Sequence, residues 1–367
     1  MYTELIKIIE GGLSNDAKKV ASYAKHLAER IKEDGDIKLY EKILSTLKKN
    51  HGIPVFKDQI FEAPVDQETR LDIATVYFPD KIDIDVLLPD STNNSIQDFV
   101  KLAKAKKQIQ QAGLDVNLSL LLYGPPGCGK TTIAKYIAKE LELPLVIARF
   151  DSLISSLLGN TGKNIRKLFE YAKGKPCILF LDEFDAIAKA RDDQHEMGEL
   201  KRVINSLLQN IDEFVEHSFL IAATNHENLL DKAIWRRFEK VVKIDKPNQE
   251  EIKSLILFLL NKTGMNIFDG DKKLDTLSIH FVGLSHSEIK KVINSSYYNS
   301  IIKGLKELTF EAIVIELLRY KQNNAFNQED AIKFLAENGV TQKGISDHLE
   351  ISIRQVRNSL NLDSNGR

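Results

Sequence analysis

Cysteine, methionine and tryptophan are scarce in this chain, at two, three and one of 367 residues. The two thiols, Cys128 and Cys177, are too few and too badly placed for a disulfide framework or a zinc site. No HExxH sequence occurs, so the metallopeptidase chemistry of that motif is excluded. Charge of one sign is missing as well. Lys and Arg number 51 against 52 Asp and Glu, a net charge of −1, and no global polycation is present to hold nucleic acid non-specifically. The longest apolar runs, such as Leu255 to Leu260, fall far short of the roughly 20 residues a membrane-spanning helix needs. The opening Met1-Tyr2-Thr3-Glu4-Leu5 lacks a basic-then-apolar leader, so a cytoplasmic location is the expectation. There is no repeat of fixed period and no low-complexity tract. What remains is a globular composition, 43% hydrophobic, long enough for several units.

The most informative stretch is Gly124-Pro125-Pro126-Gly127-Cys128-Gly129-Lys130-Thr131, which fits G-x-x-x-x-G-K-[ST] without a gap. Its context fits a phosphate-binding loop. The apolar run Leu118 to Tyr123 reads as a buried strand before it. Ile133, Ala134, Ile137, Ala138 and Leu141 mark a helix after it. In such a loop the glycines leave backbone N–H groups free for phosphate oxygens, and the helix N-terminus adds its positive dipole end. Lys130 then reaches the β- and γ-phosphates, Thr131 offers a hydroxyl to Mg²⁺, and Thr132 continues the cradle. About fifty residues on, Cys177-Ile178-Leu179-Phe180-Leu181-Asp182-Glu183 reads as a buried strand ending in two carboxylates. Asp182 is placed to order the Mg²⁺ shell, and Glu183 to polarise an attacking water.

Together with the segments that follow, these motifs resemble the AAA family of ATPases. Ile178 to Arg191 is similar to its Walker B region, and Phe219 to Asn225 to the next strand with its sensor asparagine. Leu230 to Phe238 resembles the second region of homology in its katanin and spastin style. Gly283 to Ile289, with Ser285, His286 and Ser287, resembles the segment that backs the adenine. The similarity runs from about Val86 to Arg319. It implies an α/β P-loop core, a parallel sheet flanked by helices, followed by an all-α lid. It also implies ATP and Mg²⁺ as cofactors, Asn225 against the γ-phosphate and the attacking water, and a hexameric ring. In that ring Arg236 or Arg237 would reach the neighbour's γ-phosphate, with Arg237 favoured. The family acts mostly on polypeptides, so a protein client is implied. Any proteolysis would need a separate protein.

Two further segments leave alternatives open. Asp151 to Phe169 matches the family's pore-loop stretch, but Leu157-Leu158-Gly159 stands where polypeptide-threading relatives have an aromatic residue before the glycine. These leucines either grip a chain or pack in the core. Ala331 to Leu360 resembles a helix-turn-helix, with Thr341 opening its first helix and Ile345, Leu349, Val356 and Leu360 facing inward. Ser352, Arg354, Gln355, Arg357 and Asn358 would then face a major groove. Against this, Glu350 occupies the turn position that favours glycine. Residues 323–367 carry five basic and six acidic side chains. Duplex DNA and a protein-docking or structural role both remain open for this unit.

The organisation expected from these readings has five parts. Residues 1–50 form a helical hairpin for docking, with Ser14-Asn15-Asp16 as a helix cap, and 51–85 a connector with short strands. Residues 86–246 form the large ATPase subdomain and 247–322 the lid. Residues 323–367, after a polar linker from Lys321 to Gln328, form the helix-turn-helix-like unit.

Overall fold

The computed structural model describes residues 2–13, 17–33, 36–49, 64, 72–149, 158–173, 175–185, 197–215, 218–263, 266–267, 271–304, 307–323 and 325–361. The chain divides into two compact units, Met1–Val65 and Asp66–Arg367. The first holds three helices, α1 (Tyr2–Leu13), α2 (Ala17–Glu33) and α3 (Ile37–Lys49), rather than the expected hairpin of two. Gly11 and Gly12 sit inside α1, and glycine's poor helix propensity hides that helix from a pattern reading. The cap expected at 14–16 lies outside the described residues. Arg30 Nη1 donates to Glu4 Oε1 at 2.7 Å, tying α2 to α1. Lys32 Nζ lies 5.2 Å from the ring centroid of Tyr40, tying α2 to α3.

The second unit is built on a six-stranded sheet of β1 (Ala74–Tyr77), β2 (Ser119–Tyr123), β3 (Leu145–Ala148), β4 (Ile178–Leu181), β5 (Phe219–Thr224) and β6 (Lys240–Lys243). The order is β1-β3-β4-β5-β2-β6. The five strands from β3 to β6 in that order are parallel. Strands buried on both faces read as continuous apolar runs, as Ile178-Leu179-Phe180-Leu181 does. β1 lies within the stretch expected to be a connector. It closes the sheet as an antiparallel edge, with Ala74 opposite Ala148. α4 (Asp90–Gln111), α5 (Lys130–Glu140), α6 (Leu158–Lys173) and α7 (Met197–Val215) accompany the sheet. On α5 the core-facing Ile133, Ala134, Ile137 and Ala138 are all buried. α6 and α7 meet through an edge-to-face pair of Phe169 and Phe214, 5.4 Å between centroids. The carboxyl ends of parallel strands are where ligands bind in such sheets. Here the ends of β2, β4 and β5 carry the residues of interest.

A four-residue helix, introduced below, precedes β6, and after that strand come α9 (Gln249–Thr263), α10 (Asp271–Phe281), α11 (His286–Ile302) and α12 (Phe310–Lys321). A two-stranded parallel ladder, β7 (Asn266–Ile267) with β8 (Glu307–Leu308), joins them. α13 (Gln328–Glu337), α14 (Gln342–Leu349) and α15 (Ile353–Asn361) follow. These last helices do not form a core of their own. Ala331, Ile332, Leu335, Val340, Ile345 and Val356 belong to one hydrophobic cluster with Ile256, Leu277, Ile293 and Leu317 of the lid. The reason lies in α12, where Phe310, Ala312, Ile313, Val314, Ile315, Leu317 and Leu318 are all buried. A helix apolar on every side needs partners on every side. α11 supplies one flank, and α13 and α14 another. The polar stretch after Lys321 is therefore a turn within one core. Thr341 caps α14, its side chain accepting from the Gly344 N–H. Glu350 ends that helix in the left-handed conformation, with φ of 55°. Among the described residues no helix is long and apolar enough to cross a membrane.

A shared core has a measurable consequence. Leu335 is fully buried on α13, and Leu335→Ala should cost about 2–5 kcal/mol. The loss should appear in hydrogen exchange of α11 and α12 amides as well as those of α13. Destabilisation confined to α13–α15 would mean two separate cores.

Candidate functional site

The phosphate loop leaves β2 between its two neighbours and is pinned by both. The Gly124 N–H donates to the Thr224 carbonyl at 3.3 Å, and the Ile244 N–H donates to the Tyr123 carbonyl at 2.7 Å. Gly124 has φ of 139°, and a Cβ there would overlap the Ile244 carbonyl, so only glycine fits. Gly127 has φ of 74°, and a Cβ there would lie 2.7 Å from the Ser285 hydroxyl oxygen. Lys130 is 6% exposed. Its ammonium donates to the carbonyls of Gly124 at 2.7 Å and Pro125 at 2.9 Å. Burial pushes this amine below the ordinary lysine range, while Cys128, Asp182 and Asp185 pull it back. Cys128 is buried, which pushes its thiol up, so the small side chain fills space as a neutral group.

Thr131, in the first turn of α5, donates its hydroxyl to Asp182 Oδ2 at 2.6 Å. Asp182 Oδ1 accepts the Glu183 N–H at 3.0 Å. Thr131 and Asp182 thus put two hard oxygens side by side at the end of β4, a fit for Mg²⁺ completed by phosphate oxygens and water. Among the described residues no group of three or more metal-ligating side chains occurs, so these two would share the ion with the nucleotide. Glu183 is exposed and left-handed, with φ of 49°. Bonds on either side hold it, since the Phe184 N–H donates to the Ala223 carbonyl at 2.8 Å.

Asp185 escaped the sequence reading. It is 2% exposed. Its Oδ1 accepts the Thr224 hydroxyl at 2.9 Å and the Asn225 N–H at 3.3 Å, while Thr224 Oγ1 accepts the His226 N–H at 3.0 Å. Asn225, half-buried, is therefore aimed by a carboxylate from the neighbouring strand end. The available signal was an acid flanked by the apolar Phe184 and Ala186.

The two arginines are in different situations. They follow α8 (Lys232–Trp235), capped by Asp231, whose side chain accepts the Ala233 N–H. Arg237 donates through Nη1 to the Ala233 carbonyl at 2.6 Å and through Nη2 to Asp212 Oδ2 at 3.2 Å, with Nε 3.1 Å from Asp212 Oδ1. A guanidinium that donates Nη2 to a carboxylate of α7 and pairs with it in charge is engaged within its own chain. Arg236 is exposed.

The lid contributes through the start of α11. The Ser287 N–H donates to the Gly127 carbonyl at 3.0 Å. Ser285 caps the helix reciprocally with Glu288, and Tyr320 donates its hydroxyl to Glu288 Oε1 at 2.6 Å. The Ser285 N–H and the Tyr320 hydroxyl hold the Glu288 carboxyl below its ordinary range. Between lid and sheet lies a cleft of about 680 Å³. Gly127, Cys128, Gly129, Thr131, Thr132, His286 and Ser287 line it; Ser285 and Lys130 sit beneath its surface. One wall, Asp83 to Pro89, was not anticipated, because it has no periodicity to read.

Leu157 lies outside the described residues, and Leu158 and Gly159 are the first two residues of α6. Ser352, Arg354, Gln355, Arg357 and Asn358 are exposed at α15. Gln355 Oε1, however, accepts from the Ser352 N–H and hydroxyl, and Arg357 Nε donates to Gln342 Oε1 at 3.1 Å.

Removing the carboxylate that aims Asn225 should separate turnover from binding. Asp185→Ala should lower kcat by about 10²-fold, the cost of misplacing a reacting group by about an ångström. ATP affinity by calorimetry should stay within about threefold, because the loop itself is untouched. Equal losses in both would make Asp185 a general support of the sheet.

Residues 120–246 match the family described as "ATPase family associated with various cellular activities (AAA)". An uncharacterized AAA family ATPase, y4kL of Sinorhizobium fredii, is 43% identical over 61% of this chain and 66% of its own. A proteasome-activating nucleotidase of Sulfurisphaera tokodaii is 32% identical over 66% of this chain and 64% of its own. The chain thus spans no more than about two thirds of either relative. The crystal structure of the FIGL-1 AAA domain shares the fold, with a TM-score of 0.55 and 22% identity over 67% of this chain and 85% of that one. From the phosphate loop to Arg237, every strand end described above falls inside the matched region, and the chain belongs to the AAA family of ATPases.

Proposed function

We propose that this ATPase works as a ring, in hexameric form, that couples Mg²⁺-dependent ATP hydrolysis to the remodelling of a protein client. The observation that carries the reading is the contrast between the arginines: Arg237 is committed to Asp212, and Arg236 is exposed at the end of α8. An exposed cation following the sensor strand is suited to a neighbour's γ-phosphate. Such a contact in trans is worth on the order of 10³–10⁵ in rate. Arg236, rather than Arg237, is then the trans cation. A protein client is supported by the relative named for proteasome activation.

The chain's own groups divide the work. The loop and the α5 N-terminus hold the phosphates, and Lys130 leaves its two carbonyls for phosphate oxygens. Thr131 and Asp182 hold Mg²⁺, which when bound neutralises charge on the β- and γ-phosphates. Glu183 takes the proton from water, and Asn225 orients that water. Leu157 and Leu158 are assigned to the client-gripping edge of the ring. Duplex DNA is the weaker reading for the C-terminal helices, since Gln355 and Arg357 are already engaged within the chain.

Three variants test this. Glu183→Gln should bind ATP, lose at least about 10²-fold in kcat, and sediment as a ring when ATP is present. Arg236→Ala should bind ATP yet lose about 10³-fold in kcat. Arg237→Ala should chiefly lower stability. A protein that stays monomeric with ATP and turns over at the wild-type rate without Arg236 would overturn the ring.

A further inference from the structure

Arg236 follows α8, a helix of four residues that makes barely one turn and cannot fix its own direction. Side chains on either side of Arg236 fix it instead, and they reach different elements. Arg237 pairs with Asp212 on α7. Phe238, which is buried, meets Phe184 edge to face with 6.3 Å between centroids. Both lie on the C-terminal side of Arg236. On its N-terminal side Ile234 is buried in the core, and a single buried side chain leaves the turn able to rotate about it. Trp235, the one tryptophan of the chain, opposes that rotation. Its ring stands against the ring of Tyr123, 5.2 Å between centroids and 81° between planes. This is the edge-to-face arrangement that aromatic pairs favour.

Tyr123 is a firm base for such a contact. It ends β2 and directly precedes Gly124, the first residue of the phosphate loop. Its carbonyl accepts the Ile244 N–H at 2.7 Å on one side, and the Gly124 N–H donates to the Thr224 carbonyl on the other. The backbone around Trp235 transmits its position to the next residue. The Arg236 N–H donates to the Lys232 carbonyl at 3.3 Å, and the Phe238 N–H donates to the Trp235 carbonyl at 3.3 Å. Where the indole rests, the backbone of Arg236 follows.

We propose that Trp235 is a positioning residue for the ATPase reaction: its edge-to-face contact with Tyr123 aims Arg236. The entry of the phosphate loop in one subunit and the cation offered to the next are then set by one aromatic pair. This rests on Arg236 acting in trans and adds the side chain that directs it. If Trp235 merely covers the end of β2, its loss lowers turnover whether or not Arg236 is present. If it aims Arg236, its loss has nothing left to act on once the guanidinium is gone.

The test measures turnover and, by calorimetry, ATP affinity of the full chain. Trp235→Leu keeps apolar bulk without the flat ring. It should lower kcat by about tenfold while ATP affinity stays within about twofold. Trp235→Phe, which keeps a ring against Tyr123, should stay within about threefold of the wild-type kcat. Added to Arg236→Ala, Trp235→Leu should lower kcat by no more than about twofold further. Tyr123→Leu removes the other ring and should give the same pattern, a loss alone and none beside Arg236→Ala, which serves if Trp235→Leu misfolds and loses ATP binding. An equal loss in both backgrounds would overturn the proposal and make Trp235 ordinary packing. Wild-type turnover in Trp235→Leu beside a loss of about 10³-fold in Arg236→Ala would also overturn it, leaving the trans cation standing. Wild-type turnover in Arg236→Ala alone would end both.

Discussion

A lysine ammonium buried to 6% exposure must be compensated on the spot, and Lys130 is compensated by the loop that carries it. Its bonds to the Gly124 and Pro125 carbonyls turn one side of the loop inward. The loop thus meets the cleft with part of its carbonyl side already committed. Both flanks depend on this arrangement. Gly124 can lie under the Ile244 carbonyl only without a side chain, and its N–H is taken by Thr224. The loop is thereby wedged between β5 and β6. Burial that weakens the ammonium also makes it responsive: a polyanion arriving nearby replaces neutral carbonyls with full charges, where a low dielectric makes the exchange most favourable.

Two aspartates three positions apart, Asp182 and Asp185, perform different tasks because their surroundings differ. Asp182 is half-buried and faces the loop, holding the Thr131 hydroxyl and the Glu183 N–H. Asp185 lies below, almost wholly buried, and faces β5. Between them Glu183 takes a left-handed backbone that costs an acyclic side chain about 1–3 kcal/mol. Such a conformation persists only when its neighbours over-determine it. Here the Phe184 bond to Ala223 and the Asp182 bond to Glu183 do so. The exposed carboxylate is held in place by its backbone more than by any side-chain partner.

What could be read from the sequence followed the range of the interaction. β2, the loop and α5 are contiguous, and each carries its own periodicity, so strand, turn and helix were legible together. The acids after β4 were legible because a buried strand must end before a carboxylate can reach a site. Asp185 was not, since its partners lie about forty residues away on β5. The family resemblance leaned towards Arg237, and only Asp212, on another helix, separates it from Arg236. The polar stretch after Lys321 looked like a linker because sequence shows which residues are apolar, not how many sides of α12 are covered. α1 was lost to two glycines whose local cost the three-helix unit absorbs.

The shared core changes how the C-terminal helices relate to the nucleotide. α11 is bonded to the loop through Ser287 and Gly127. Its capping box hands one Glu288 oxygen to Ser285 and the other to Tyr320 on α12. α12 in turn is packed on several sides by the lid and by α13 and α14. Close-packed interiors resist shear, because small displacements lose many contacts at once. α11 to α15 are therefore packed as one body. α13 to α15 are then part of the lid, joined to the cleft by a continuous run of bonds and packed side chains.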